Sequence, residues 1–261
     1  MITIDINPIA FLNIRWYGIF IALAIIWIIL WAAWQVRKGA KISYDTLFTA
    51  ALVGIPSGIV LARLLHVIDL WDYYSQNLGQ IIGGGGLTAY GAILGAALGI
   101  WIYSKFSKLQ FGYFADLVAP AVIVAQAVIG RIGCTINGCC YGVETSLPWG
   151  IVYTHPSSFA YDASRALPSG MGLHPTQPYE FIFGLIVFGI LLKLRGRFKP
   201  DGSLFLIYLG LYSVWRIGID FLRVGTPFLF SLHQAQVVGI IVLAITIPLL
   251  ALRARWIKTE A

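Results

Sequence analysis

Charge is scarce in this chain. Asp, Glu, Lys and Arg make up 11% of its 261 residues, against 59% hydrophobic residues, whereas a soluble domain carries about 25% charged residues. An ordinary soluble enzyme is therefore excluded. A cleaved signal peptide carries its basic residues ahead of its apolar stretch; here the basic pair Arg37 and Lys38 follows the first long apolar run, so a retained helix is expected. No G-x-S-x-G elbow occurs, which removes a serine lipase. No strand-like run leads into Gly83-Gly84-Gly85-Gly86 and no P-loop lysine follows, which removes a nucleotide cradle. The last apolar stretch, 235–250, has no lysine, as a retinal protein would need. Internal repeats of the transporter kind are also missing. Cysteine is limited to Cys134, Cys139 and Cys140, an odd number that cannot all pair.

What the chain does have is apolar runs of about 20 residues, each long enough to cross a bilayer. The expected fold class is all-α: a polytopic membrane protein with about seven transmembrane helices near 17–36, 48–68, 87–104, 113–130, 178–194, 203–222 and 233–252. Residues 1–261 read as one integral membrane domain, with a small extracytoplasmic loop or head region at 143–177 between helices 4 and 5. Twelve of the 18 basic residues fall in alternate connections: Arg37, Lys38 and Lys41; Lys105 and Lys108; Lys193, Arg195, Arg197 and Lys199; Arg253, Arg255 and Lys258. The positive-inside rule makes that side cytoplasmic, with the N-terminus outside and the C-terminus inside. The net charge of +7 then reflects topology and attraction to anionic membrane lipids, and no nucleic-acid partner is implied.

The other six basic residues, Arg15, Arg63, Arg131, Arg165, Arg216 and Arg223, are all arginines, and the expected topology puts them in the outer half. Arginine grips phosphate with a planar fork. Other polar residues are expected to converge there. Tyr17 opens helix 1, where an interfacial aromatic belt explains it equally well. The glycine run and Tyr90 open helix 3, as a turn or as a backbone bed for a lipid head. His174 precedes helix 5; Glu180 falls in its first turn, where capping alone would account for it. Tyr212, Arg216, Asp220 and Arg223 share one face of helix 6. Arg216 and Asp220 can pair, and snorkelling to the interface would by itself account for Arg223. Asp116, at the inner end of helix 4, reads as a helix cap.

The densest cluster is Gly130-Arg131-Ile132-Gly133-Cys134-Thr135-Ile136-Asn137-Gly138-Cys139-Cys140-Tyr141-Gly142. Polar residues at a membrane edge mark a functional site by default. C-x4-C-C is not a standard zinc spacing. A zinc site with His155 or His174, a disulfide outside the membrane, and small residues packed near a tight turn all stay open, the last favoured.

Taken with Arg15-Trp16-Tyr17-Gly18, the glycine-rich opening of helix 3, His174-Pro175-Thr176-Gln177, Tyr179-Glu180, and Tyr212, Arg216, Asp220 and Arg223, this block resembles the prolipoprotein diacylglyceryl transferase family over nearly the whole chain. The resemblance implies a multi-pass enzyme of the bacterial cytoplasmic (inner) membrane, active toward the outer leaflet. It implies transfer of the diacylglyceryl group of phosphatidylglycerol to the lipobox cysteine thiol of a preprolipoprotein, with glycerol 1-phosphate leaving and no metal or soluble cofactor. Arg131, Arg216 and Tyr90 are the expected catalytic residues. Tyr17, Asn137, Gly142, His174, Glu180, Tyr212, Asp220 and Arg223 are the expected substrate-binding residues. The chain departs from familiar members at Tyr90, often histidine; Cys134, asparagine; Cys139, glutamate; and Asp220, glutamate. The alternatives are a related lipid transferase with another donor or acceptor, and a membrane transporter.

Overall fold

A computed structural model describes residues 1–83, 86–225 and 228–256, apart from the side chains of residues 83, 89 and 90. Gly84 and Gly85 of the expected lipid-head bed, and the side chain of the expected catalytic Tyr90, therefore lie outside the described residues. The helices are α1 (Trp16–Arg37), α2 (Tyr44–Asp69), α3 (Trp71–Tyr74), α4 (Gln80–Gly83), α5 (Ala89–Phe106), α6 (Phe111–Ile123), α7 (Gly130–Asn137), α8 (Tyr161–Arg165), α9 (Thr176–Leu194), α10 (Ser203–Ile219) and α11 (Gln234–Arg253), with a π-helical turn, Val124–Ile129, joining α6 to α7.

The protein is a mostly helical, polytopic membrane protein. Among the described residues, six helical segments are long and apolar enough to cross a bilayer: Trp16–Arg37, Tyr44–Asp69, Phe111–Asn137, Thr176–Leu194, Ser203–Leu222 and Gln234–Arg253. The seventh expected span corresponds to α5, whose apolar stretch with described side chains, Gly91–Phe106, is shorter. The span expected to end near 130 continues to Asn137, because the π turn carries the helix on through the signature block.

The described residues form two compact units, Met1–Trp31 with Ala115–Ala261, and Ala32–Phe114. In the second, α2 packs on α5 through small residues. A Cβ added to Gly95 would lie 2.3 Å from the Ser57 carbonyl oxygen, and one on Gly91 would lie 2.4 Å from Ala62 Cα. Such close backbone approach supplies the dispersion contact that holds helices together where no water can be expelled. Arg63 belongs to this unit and is fully engaged there: its guanidinium donates to the carbonyls of Gln80 (2.5 Å), Ile81 (2.8 Å) and Gly86 (3.0 Å).

In the first unit, Ala119, Ile123, Ala127, Val187, Leu191, Leu204 and Tyr208 form a buried core shared by α6, the π turn, α9 and α10. Asp116 caps a helix, but not its own. Its carboxylate accepts from the backbone N–H groups of Gly202 and Phe205, both at 2.8 Å, and so closes the N-terminus of α10. The expected small head region has strand structure that an all-α reading did not anticipate. Strands β1 (Ile2–Ile4), β4 (Glu144–Thr145), β5 (Ile151–Tyr153) and β6 (Gly172–Leu173) form a sheet in the order β1-β5-β6-β4. Ile151, Tyr153, Ala160 and Leu173 fill its core. Among the described residues, two shorter pairings join β2 (Ile9–Phe11) with β3 (Ile14–Arg15) and β7 (Phe198–Lys199) with β8 (Arg255–Trp256). Two to three residues per strand leave almost no alternation to read in the sequence.

Candidate active site

The site lies within the first unit, where α7, the start of α9 and the end of α10 bring their polar ends together. Arg131 is the second residue of α7, directly after the π turn. Such turns insert an extra residue per turn and recur at functional sites. Its Nη2 donates to Glu180 Oε1 at 2.6 Å, with Arg131 13% and Glu180 1% exposed. Glu180 Oε1 also accepts from the Tyr212 hydroxyl at 3.0 Å, and Glu180 Oε2 lies 3.8 Å from Arg223 Nη1. Glu180 is the fifth residue of α9 and caps nothing; it is the buried hub of an ion network.

The network continues through Asp220. Its Oδ1 is 3.0 Å from Arg216 Nη2 one turn back on α10, as the spacing predicts, and 3.9 Å from Arg223 Nε. Its Oδ2 is 2.9 Å from His233 Nδ1. Arg223 therefore does not snorkel: its side chain is 11% exposed and set between two carboxylates. Among the described residues, three guanidiniums against two carboxylates leave one positive charge in excess, before any contribution from His233. A buried excess charge is costly and favours an anionic ligand. Arg131 Nε and His174 Nδ1 are, in addition, buried with no hydrogen-bond partner among the described residues. Buried polar atoms are nearly always satisfied, so such exceptions require a reason.

Tyr17 faces the same group, with its electrostatic interactions running to Arg131 and the three cysteines. Gly133 makes that approach feasible, since a Cβ there would meet Phe20 Cβ at 2.9 Å and Tyr17 Cα at 3.3 Å. Asn137 is held by protein contacts. Its Oδ1 accepts from Arg15 Nη1 at 3.0 Å, and its backbone carbonyl accepts from Phe159 N–H at 3.2 Å. Gly142 was expected among the substrate-binding residues, and protein packs closely around it. A Cβ there would fall 2.4 Å from the Leu222 carbonyl oxygen and 2.5 Å from His174 Cβ. Gly142 N–H donates to the His174 carbonyl at 3.0 Å, and Gly142 pairs as a β-bridge with Arg223. Its small size lets the loop after α7 lie against the Arg223 backbone.

The cysteines are all free thiols. Their Sγ atoms lie within 4.8 Å of one another, and neither His155 nor His174 joins the group. The first turn of α9 holds the loop in place: Thr176 Oγ1 donates to the Cys140 carbonyl at 2.6 Å and Gln177 Nε2 to the Cys139 carbonyl at 2.7 Å. Hydrogen bonds from Cys134 and Cys139, assisted by Arg131 and Arg223, hold the Cys140 thiol well below the ordinary range. For Cys139 the bond with Cys134 acts downward, but the bond with Cys140 and burial outweigh it and push that thiol up to about 11.

A family model described as prolipoprotein diacylglyceryl transferase matches residues 4–252. The chain belongs to that family. The phosphatidylglycerol–prolipoprotein diacylglyceryl transferase of Dehalococcoides mccartyi is 46% identical over 98% of this chain and 96% of its own length. The proteins of the same name from Clostridioides difficile and Acaryochloris marina are 36% and 39% identical, over 88% and 87% of this chain and 87% and 82% of theirs. In this member of the prolipoprotein diacylglyceryl transferase family, the expected residues Arg131, Glu180, Tyr212, Arg216, Asp220 and Arg223 form one connected network. Gly142 and His174 back the strand of chain beside it. His233, which bonds Asp220, escaped notice in the sequence. Gln177 and Thr176 were read only as part of a motif, with no hint that they clamp the cysteine loop.

Proposed function

We infer that the protein transfers the diacylglyceryl group of phosphatidylglycerol to the cysteine thiol of a prolipoprotein, the lipobox cysteine of its signal peptide. The sulfur attacks the glycerol carbon that bears the phosphate. A carbon–sulfur bond forms, the carbon–oxygen bond breaks with its electron pair going to oxygen, and glycerol 1-phosphate departs. Negative charge grows on the phosphate as that bond lengthens. The observation that carries the reading is the single excess positive charge of the Arg131–Glu180–Arg223–Asp220–Arg216 network, fixed in a water-poor site where preorganised charge acts most strongly.

Each residue then has a defined task. Arg131 and Arg216 are the catalytic cations that stabilise the departing phosphate. Glu180, Tyr212 and Asp220 hold the guanidiniums in register and prevent mutual repulsion from spreading them. Arg223 lends charge from behind. Tyr17, Asn137 and His174 face the glycerol head, and Tyr90 donates a hydrogen bond rather than serving as base, because phenol titrates near pH 10. The cationic field favours thiolate, and the thiol proton ends on the departing phosphate monoester, so that the step balances. A groove of about 300 Å³ lined by Arg131, Ile132, Thr135, Pro178, Phe181 and Ile182 gives an acyl chain a place beside the guanidinium. The enzyme sits in the bacterial inner membrane with its N-terminus and residues 143–177 outside, its C-terminus inside, and the site toward the outer leaflet. The membrane-embedded whole, 1–261, acts as one domain.

The test is transfer from phosphatidylglycerol to a lipobox peptide in detergent, followed by product mass and glycerol phosphate release. Arg131→Ala and Arg216→Lys are expected to abolish thioether formation while the protein remains folded. Product from both variants would overturn the assigned roles. No product from wild type, with an active family enzyme alongside, would point to another donor or acceptor.

A further inference from the structure

We propose that Cys134, Cys139 and Cys140 form a three-thiolate site for a soft divalent metal ion of the zinc and cadmium class, and that loading it draws Arg131 away from phosphate. Four observations support this. The three Sγ atoms already lie within 4.8 Å of one another. Two thiolates on one zinc, with Zn–S of about 2.3 Å, stand roughly 4 Å apart, so closing the site needs a shift of under about 1 Å. All three thiols are free.

The loop that carries the ligands is fixed in advance. Gly138 ends α7 in the left-handed conformation at φ +70°, and Cys140 itself is held at φ +62°, a conformation that costs free energy in a non-glycine residue and persists where the surroundings impose it. Cys139 N–H donates to the Cys134 carbonyl at 3.2 Å, tying the two ends of the ligand set together. Thr176 and Gln177 hold the Cys140 and Cys139 carbonyls from the other side. A metal site needs such preorganisation of its ligands.

Charge completes the case. Three thiolates and one divalent ion make a complex with one net negative charge, and Arg131 Nη1 already donates toward Cys134 Sγ at 3.6 Å. A neighbouring guanidinium stabilises an anionic thiolate complex, as outer-shell partners do at other metal sites. The same guanidinium is the one assigned to the lipid phosphate, so the complex and the phosphate compete for its charge. This last step rests on the functional reading above; metal binding does not.

The test uses the full-length protein, purified in detergent under reductant and without oxygen, with cadmium ion as the probe. The expected result is one tightly held cadmium per chain with metal–thiolate charge-transfer absorption and a cadmium NMR shift of a sulfur-rich site. Each of Cys134→Ser, Cys139→Ser and Cys140→Ser should weaken binding by at least about tenfold, the loss expected when a metal's fixed surroundings are altered. Thiol alkylation of the wild type, which needs no refolding of a variant, should remove the signal as well. Transfer by the cadmium-loaded enzyme should fall and recover on chelation. Absence of the charge-transfer band in wild type, or equal binding by the alkylated protein, overturns the site. So does loss of free thiol on isolation without reductant accompanied by no cadmium uptake under reductant, which would make the cluster a dithiol redox pair. A transfer rate unchanged by bound cadmium overturns the competition for Arg131.

Discussion

The α2–α5 pair and the arginine centre solve the same problem with opposite means. Both hold polypeptide together where water is scarce. In α2–α5 the contact is made by what is missing, with glycines letting Ser57 and Ala62 approach the facing helix at backbone distance. In the arginine centre the contact is made by charge, with two carboxylates, each at most 4% exposed, among three guanidiniums. Packing between small residues is indifferent to ligand and pH. A charged network that does not sum to zero is complete only when an anion joins it. Stability stands apart from function in the first region and shares its charges with function in the second, and substitutions can show how far.

The largest effect is expected from Glu180→Ala. It removes the acceptor shared by Arg131, Tyr212 and Arg223 and leaves buried guanidiniums facing one another. Breaking one partner out of a buried pair costs about 3–5 kcal/mol, so the thermal midpoint in detergent should fall sharply and transfer should vanish. Added phosphatidylglycerol should recover less of the midpoint than in wild type. A midpoint within a degree or two of wild type would mean that the network does not carry the fold. Next is Gly142→Ala. The new Cβ meets the Leu222 carbonyl and His174, so the loop must lift from Arg223. Overpacking of this kind costs roughly 1–3 kcal/mol, and here the rate per folded molecule should fall too, because Arg223 moves with the strain. Unchanged turnover would detach Gly142 from the site.

Gly95→Ala sharpens the contrast. Its Cβ also meets backbone, the Ser57 carbonyl at 2.3 Å, so a similar loss of about 1–3 kcal/mol is expected. Yet no charged group lies in that contact, so activity should fall only as the folded fraction falls. A drop in rate per folded molecule as large as that of Gly142→Ala would erase the distinction between the two regions.

Much of this was legible in the chain, and the reasons differ by element. Spans announce themselves by length and hydropathy, because a bilayer demands about 20 apolar residues whatever the neighbours. The Arg216–Asp220 pair was legible because helical spacing alone brings it together. Glu180 was expected at the site, but its place as hub was hidden and capping alone would have accounted for it, because its partners, Arg131 and Arg223, are 49 and 43 positions away and no local rule connects them. Snorkelling stood as the plain alternative for Arg223 for the same reason, and His233 passed unnoticed because its partner Asp220 precedes it on another helix. The strands of the head region are too short to show a period of two. The cysteine cluster was visible as a spacing but not as a geometry: only the turn at Gly138 and the clamps from α9 bring the three sulfurs together.

Asp116→Ala carries the smallest expected effect. Its carboxylate satisfies two backbone donors, Gly202 and Phe205, at the N-terminus of α10, and loss of such a cap costs about 0.5–2 kcal/mol. The residue belongs to the same unit as the arginine centre but to the start of the helix whose far end carries Arg216. If α10 behaves as a rigid rod, fraying its first turn should leave Arg216 in place, and the thermal midpoint should drop modestly while the rate per folded molecule holds. If the rate falls out of proportion to the midpoint, the helix transmits its N-terminal anchoring to Arg216, and the charged centre depends on hydrogen bonds well outside its own network.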